Sequence, residues 1–412
     1  MPIPNLNQPP KETTFERWSV VFGVLLLAFN LRPAAVSVGP VLAEVKQGLG
    51  MGDVAIGMLT SLPVVAFAVF GALAPAAAGR TGVHRLTLLA LLAAVGGLLG
   101  RSATSSVSMF LALSMIALAG MAMVNVLLPS LVKLHFPTGI GLFTALYTTS
   151  LALGLTSASV LTVPLSEYFG SWRGGLAFWA ATAAVAALPW MLLLRHDAAL
   201  RTRRISISLR QVARTRLGWA MALLFGLQSA QAYTIFGWFA QVYRDAGFSS
   251  STAGLLLGVI GGMSIPLSLW APGAAARTHN QTRLMLVVVA CYPAGYLGLV
   301  VAPVAGAWLW AVLVGVGLSI FPIVLTLIGL RSRTADGTAA LSGFTQSVGY
   351  AVSAVGPFGI GLLYHASGGW LWPMLALTAV SGATAAFAAV AGRPQYIEDQ
   401  IDLSPAPIVP GS

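Results

Sequence analysis

Twelve apolar segments, separated by short polar stretches, follow one another along the chain. Their approximate spans are 18–42, 54–78, 83–100, 106–132, 139–164, 174–194, 218–243, 251–274, 283–302, 306–330, 338–363 and 369–391. About 20 apolar residues suffice to cross a bilayer as a helix. The pattern therefore predicts an all-α membrane protein with twelve transmembrane helices. The ninth and tenth segments are parted only by Ala302-Pro303-Val304-Ala305. The longest polar interruption, 195–217, lies between the sixth and seventh and carries Arg195, His196, Arg201, Arg203, Arg204, Arg210, Arg214 and Arg216. The expected organisation is an N-terminal tail (1–17), a six-helix bundle (18–194), a basic linker (195–217), a second six-helix bundle (218–391) and a C-terminal tail (392–412).

Composition agrees with this pattern. The 412 residues are 57% hydrophobic and only 8% charged, against about 25% charged in soluble domains. The net charge of +11 sits in short loops between apolar segments, so it reads as a topology signal rather than a nucleic-acid surface. With the N-terminus in the cytoplasm, the inner loops hold Lys11, Arg17, Arg80, Arg85, Lys133, the linker arginines, Arg277, Arg283, Arg331, Arg333 and Arg393. The outer loops hold only Lys46, Arg101, Arg173 and Arg244. Both termini are therefore expected in the cytoplasm. No small-residue cleavage site follows the first apolar run at signal-peptide distance, so that run is read as a retained helix. The one cysteine, Cys291, excludes a disulfide framework and a cysteine metal site. No metal and no cofactor is implied.

The two halves carry a weak internal repeat. Gly57-Met58-Leu59-Thr60 and Gly254-Leu255-Leu256-Leu257 lie 197 residues apart, and so do Pro75 and Pro272. Each proline lies in the same pattern, Ala-Pro-x4-Arg-Thr, which contains Arg80 and ends at Thr81 in one half and contains Arg277 and ends at Thr278 in the other. Pro75, Arg80, Arg85, Pro272 and Arg277 are accordingly candidates for a gate at the corresponding loop of each half.

One charge stands apart. Arg32 lies near the middle of the first apolar segment, where a guanidinium costs roughly 2.5–3.5 kcal/mol on insertion scales. It is too deep to snorkel out. It must face a protein interior or a water-filled cavity and find an anionic or carbonyl partner. Pro33 and Pro40 loosen the helix around it, since each removes a donor and frees a carbonyl one turn back. The other charges, among them Glu44, Asp53, Glu167, Arg173, Arg244, Asp245 and Asp336, fall near segment ends and read as loop charges. His135 and His365 read as loop histidines. No carboxylate lies at mid-depth, so a buried proton relay has no obvious carrier. Glu44, about three turns from Arg32, is the nearest coupling candidate.

Uncharged polar residues at mid-depth form the second set: Asn30, Asn125, Tyr147, Gln228, Gln231, Gln346 and Tyr350. Gln228 and Gln231 share one helix face, as do Gln346 and Tyr350. Interhelical hydrogen bonding is their ordinary use in membrane bundles; lining a binding site is the functional alternative. The glycine-rich stretches 254–262, 315–317 and 356–361 read mainly as close helix packing.

Three stretches resemble one family. Asn30-Leu31-Arg32-Pro33-Ala34-Ala35-Val36-Ser37-Val38-Gly39-Pro40 resembles the first-helix signature of the cyanate permease and 2-nitroimidazole transporter family (CynX/NimT), within the major facilitator superfamily. Ser171-Trp172-Arg173-Gly174 is similar to its Gly-Trp-Arg-Gly start of helix six, with Ser171 in place of Gly. Leu341-Ser342-Gly343-Phe344-Thr345-Gln346-Ser347-Val348-Gly349-Tyr350 resembles its helix-eleven segment. The resemblance spans about 18–391. The usual facilitator loop after helix two carries an Asp where this chain has Pro75. The resemblance implies two pseudo-symmetric six-helix bundles with a midplane site between them. Helices one, four, seven and ten, with parts of five and eleven, would line that site. It also implies a multi-pass protein of the bacterial inner membrane that moves a small solute.

The expected function is secondary active transport, not enzymatic catalysis, of a small anionic or polar solute: a cyanate-like anion, a small carboxylate or an amino-acid-like compound. Arg32 would anchor the ligand, because its planar donors suit a carboxylate or a linear anion. The alternative is export of neutral nitroimidazole or drug-like compounds, with Phe236, Trp238 and Tyr350 stacking on the ring. A transporter-like sensor ranks below both, since only about twenty residues follow Arg393. The expected partners are the small-molecule substrate, the lipid bilayer and protons as a coupling ion. No nucleic acid is expected, and the chain is expected to act as a monomer.

Overall fold

The computed structural model describes residues 14–195 and 207–401. The linker residues His196, Arg201, Arg203 and Arg204, and most of the N-terminal tail with Lys11, lie outside them. Among the described residues, twelve helical units follow the apolar segments, the first leaving the regular helix early, at Asn30. In the first half they are α1 (Thr14–Asn30), α2 (Asp53–Thr81), α3 (Val83–Ala103), α4 (Val107–His135), α5 (Ile140–Tyr168) and α6 (Trp172–Leu192). In the second they are α7 (Arg216–Asp245), α8 (Ser250–Gly262 and Ser264–Arg277), α9 (Thr282–Val301), α10 (Ala307–Leu318 and Ile320–Leu330), α11 (Ala335–Ser353 and Val355–Ser367) and α12 (Leu371–Ala391). Among the described residues, eleven spans are long and apolar enough to cross a membrane. The unit missing from those eleven is α7. Its 30 residues give it the length, but Gln228, Ser229, Gln231 and Gln241 dilute its apolar character.

The first helix, expected only to be loosened by its prolines, is interrupted. Regular α-helix stops at Asn30; a short turn of helix follows over Pro33–Val36, then a tight turn over Gly39–Val41 and a last helix over Leu42–Leu49. Pro33 has no N–H to offer the Phe29 carbonyl. That carbonyl faces Gly154 of α5, where an added Cβ would sit only 1.9 Å from it. Glycine at 154 is thus what lets α5 approach the backbone at the break. Asn30 supports the same place. Its amide donates to the Leu26 carbonyl (2.9 Å) and the Thr182 carbonyl (3.2 Å), and the Thr182 hydroxyl donates back to its Oδ1 (2.7 Å).

The halves close on each other at the end that carries the basic loops. There Ser264–Arg277 packs on α5, Ile320–Leu330 on α4 and α5, and Ala335–Ser353 on α2 and α4. The opposite-end parts of the same helices, Ser250–Gly262, Ala307–Leu318 and Val355–Ser367, pack chiefly within their own half. The space between the halves therefore opens away from the basic loops. The two repeat prolines sit on matching sides of this closure. A Cβ added at Gly343 of α11 would meet Pro75 at 2.5 Å, and one added at Gly141 of α5 would meet the Pro272 carbonyl at 2.9 Å.

The chain beyond α12 is laid across that closed end. Glu398 accepts from the backbone N–H groups of Arg333 (2.9 Å) and Thr334 (3.0 Å), at the start of α11. Arg333 pairs with Asp399 and covers the Tyr396 ring. Arg331 donates to the carbonyls of Ala391 and Gly392, both at 2.8 Å, and to Gln281. Burial pushes its guanidinium down to about 10, so it stays charged at neutral pH. From the first half, Lys133 reaches the Gly329 carbonyl at 3.3 Å.

Two expectations about charge are corrected. Arg101, read as a loop charge, is buried at 1% exposure against the interrupted first helix. Arg173 is half-buried and holds the α3–α4 loop through the carbonyls of Ser102 (2.9 Å) and Thr104 (2.5 Å). The Ser171 hydroxyl caps the start of α6 by accepting from the Arg173 N–H. His135 is not a loop histidine either: it is buried, with its Nε2 2.9 Å from that of His84. His365 is exposed.

Candidate functional site

Arg32 stands in the gap between Asn30 and Pro33, where the chain leaves the α-helix, and it remains partly exposed. Among the described residues no carboxylate pairs with it. Its neighbours come from the other half. The Tyr350 side chain of α11 lies near Arg32 and near Asn125 of α4. Tyr233 of α7 stands beside both Arg32 and Tyr350. It keeps 39% of its surface exposed, as a side chain lining an open space should.

A polar chain crosses between the halves below this group. Asn125 donates to the Gln346 Oε1 at 2.5 Å, and Gln346 donates to the Ser342 hydroxyl at 2.8 Å. Tyr350 is wedged between Phe67 of α2 and Phe225 of α7, with ring centroids 5.0 and 5.1 Å away. So Arg32, Asn125, Gln346 and Tyr350, four of the residues singled out in the sequence, meet at mid-depth, at the bottom of the space between the halves. Tyr233 joins them. Sequence reading missed it because one tyrosine on an apolar helix carries no special spacing. Its position four residues after Ser229, on a helix unusually rich in amides, is the signal that was there.

The other candidates lie elsewhere. Asn30 spends its amide on Leu26 and Thr182, which positions the break rather than opening to it. Tyr147 is buried in the core of the bundle with its hydroxyl unpartnered. Gln228 is buried; its amide donates to the Ser229 hydroxyl at 2.6 Å and its carbonyl is unpartnered. Gln231 is saturated within the second half: it donates to Thr384 (3.1 Å) and accepts from Tyr296 (3.2 Å) and Ser381 (2.8 Å). Trp238 belongs to an aromatic group near the open end, with Tyr364, His365 and Trp370. Its indole donates to the Pro357 carbonyl at 3.0 Å. Asp245 receives the Tyr364 hydroxyl and the Trp370 indole there. Glu44 is exposed on Leu42–Leu49. Arg80 and Arg277 are exposed near the closed end.

This arrangement of two packed halves, a broken first helix and one unmatched charge between them fits a solute carrier. The sequence pattern described as Major Facilitator Superfamily matches residues 20–357. The chain belongs to the major facilitator superfamily. It is 35% identical to an uncharacterized transporter, YycB, of Bacillus subtilis, over 94% of this chain and 97% of that one. It is 32% identical to the 2-nitroimidazole transporter of Escherichia coli, over 92% and 96%. It is 27% identical to the cyanate transport protein CynX of Escherichia coli, over 87% and 93%. Among solved structures, the proton:xylose symporter XylE superposes with a TM-score of 0.72 at 12% identity, covering 94% of this chain and 99% of that one; this likeness concerns the fold. The chain is thus a multi-pass membrane protein of a transporter family.

Proposed function

We propose that this chain is a bacterial inner-membrane transporter with twelve spanning helices and both termini in the cytoplasm. It moves a small anionic or strongly polar solute by alternating access, and Arg32 anchors the ligand. The observation that carries this reading is a partly exposed guanidinium, without a carboxylate partner, at the bottom of the space between the halves. A charge in that position is costly unless water or an anion meets it. An anionic ligand supplies the missing partner, and charge-assisted hydrogen bonds to a guanidinium are among the stronger polar contacts. Tyr233 and Tyr350 add donors, and Gln346 holds Asn125 beside them. The Asn125–Gln346 bond joins the halves, so it must break when the closed end opens. With the basic loops inside, the described state faces outward.

A second reading has its own support. The 2-nitroimidazole transporter is 32% identical to this chain, and Tyr233 and Tyr350, the latter packed on Phe67, bring aromatic faces near Arg32. A nitroheterocycle would place its nitro oxygens on the guanidinium and its ring on the tyrosines.

The test is counterflow in proteoliposomes with cyanate, nitrate, small carboxylates, amino acids and 2-nitroimidazole. One class should exchange through the wild-type protein and fail with Arg32→Gln. Exchange of the same solute at wild-type rate by Arg32→Gln would remove the anchor role.

A further inference from the structure

Arg101 is a second uncompensated cation. It lies near the open end of α3 with 1% of its surface exposed. Its Nη1 donates to the Ala34 carbonyl at 3.0 Å and its Nη2 to the Ser37 hydroxyl at 2.9 Å. Its Nε–H has no partner. No carboxylate pairs with it among the described residues. Beside it the Ser114 hydroxyl of α4, at 0% exposure, is also unpartnered. The two side chains line one cavity of about 280 Å³, whose other walls include Ala35, Val38, Leu59 and Leu118.

Buried polar groups are nearly always satisfied, and exceptions call for a missing partner. A guanidinium does not solve its burial by losing a proton. Carbonyl and hydroxyl dipoles satisfy N–H groups but leave the full charge in place. A bound water would do the same. An anion removes both deficits at once, because it neutralises the charge and accepts from the Arg101 Nε–H and the Ser114 O–H. The walls are mostly apolar, which disfavours strongly hydrated anions such as sulfate and favours weakly hydrated monovalent ones.

We propose that this cavity, walled by the interrupted first helix, α2, α3 and α4, is a binding site for a small monovalent anion held by Arg101 and Ser114. The site is distinct from the one at Arg32. Through Ala34 and Ser37 it braces the irregular stretch that follows Arg32, so an anion there fixes the geometry of the break. This inference does not depend on what Arg32 binds.

The test is thermal unfolding of the purified full chain in detergent. Sodium gluconate is replaced stepwise by sodium nitrate or sodium chloride at constant ionic strength. A ligand that binds only the folded state raises Tm with concentration. The wild-type protein should gain about 2–4 °C, saturably, which is the shift expected in a chain of this size once the anion exceeds its dissociation constant about 100-fold. Arg32→Gln should keep that gain, which separates this site from the transport site. Ser114→Ala removes one donor and should raise the half-saturating nitrate concentration several-fold, and Arg101→Gln should abolish the response. Should Arg101→Gln not fold, the Ser114→Ala titration decides. A wild-type Tm that is equal in gluconate, chloride and nitrate would overturn the proposal. So would a nitrate response lost in Arg32→Gln, or one left unchanged by Ser114→Ala.

Discussion

The first and seventh helices occupy equivalent places in the two halves, yet they are built in opposite ways. The first breaks at Asn30, resumes at Pro33 and exposes a charge in the gap. The seventh runs unbroken for 30 residues and carries amides instead. The difference separates two means of putting polarity inside a membrane. A cation needs a cavity, a ligand and released backbone around it. An amide can be satisfied by its neighbours, as Gln231 is by Thr384, Tyr296 and Ser381. The first half therefore holds a group that still lacks a partner. In the second half most of the amide hydrogen bonding is already spent on structure.

This contrast can be broken most strongly at Arg32. Arg32→Lys keeps the charge but loses the planar fork, and truncating one side of a buried charged contact costs about 2–5 kcal/mol. Substrate exchange in proteoliposomes should fall by roughly 30-fold or more, while Tm stays near the wild-type value. Equal losses of Tm and transport would make Arg32 a structural cation, and the contrast between the helices would lapse.

The next test concerns the closed end, where the halves touch. Gly141→Ala places a Cβ 2.5 Å from that of Ala276 and 2.9 Å from the Pro272 carbonyl. The α5–α8 contact must loosen. Ser130, whose hydroxyl donates to the Ala335 carbonyl across the halves at 2.8 Å, reports on it. In a Cys291→Ser background, thiol labelling of Ser130→Cys should rise about tenfold when Gly141→Ala is added; the open state would gain roughly 1.4 kcal/mol. Unchanged labelling would mean that the contact does not hold the end shut.

Gln231 and Gln228 sharpen the seventh-helix side. Gln231→Leu leaves the buried Tyr296 hydroxyl without its acceptor, while Ser381 and Thr384 keep their bonds to Leu377 and Val380; a buried unsatisfied group costs about 1–3 kcal/mol. Tm should drop by about 1–3 °C with substrate selectivity unchanged. Gln228→Ala removes one weak bond and an unpartnered carbonyl, so transport should change by less than about fivefold, in keeping with a net worth near 1 kcal/mol for a neutral hydrogen bond. A selectivity change in Gln231→Leu would move that residue into the binding site.

Much of this was legible in the chain. Apolar runs placed the helices after the first within a few residues, because membrane spans must be long; the first was read as one span over 18–42 and instead leaves the regular helix at Asn30. Pro33 marked the break, because a missing donor acts locally. Arg32 was conspicuous, because a mid-span charge has no inexpensive explanation. What escaped depends on contacts distant in sequence. Arg101 looked like a loop charge, since nothing near position 101 reveals that Ala34 and Ser37 will fold over it. His84 and His135 meet only because α3 and α4 pack antiparallel. Gln231 and Asn125 were alike on paper, and only their neighbours separate an amide spent inside one half from an amide that joins the two.

Whether the charge in the broken helix holds the ligand is read out by ligand-induced thermal stabilisation. Purified wild-type, Arg32→Lys and Arg32→Gln proteins would be titrated with the solute that exchanges in proteoliposomes. If Arg32 anchors the ligand, Tm rises saturably for the wild-type protein, at much higher concentration for Arg32→Lys, and not at all for Arg32→Gln, with all three folded without ligand. A folded Arg32→Gln protein that is stabilised at the wild-type concentration would contradict that role.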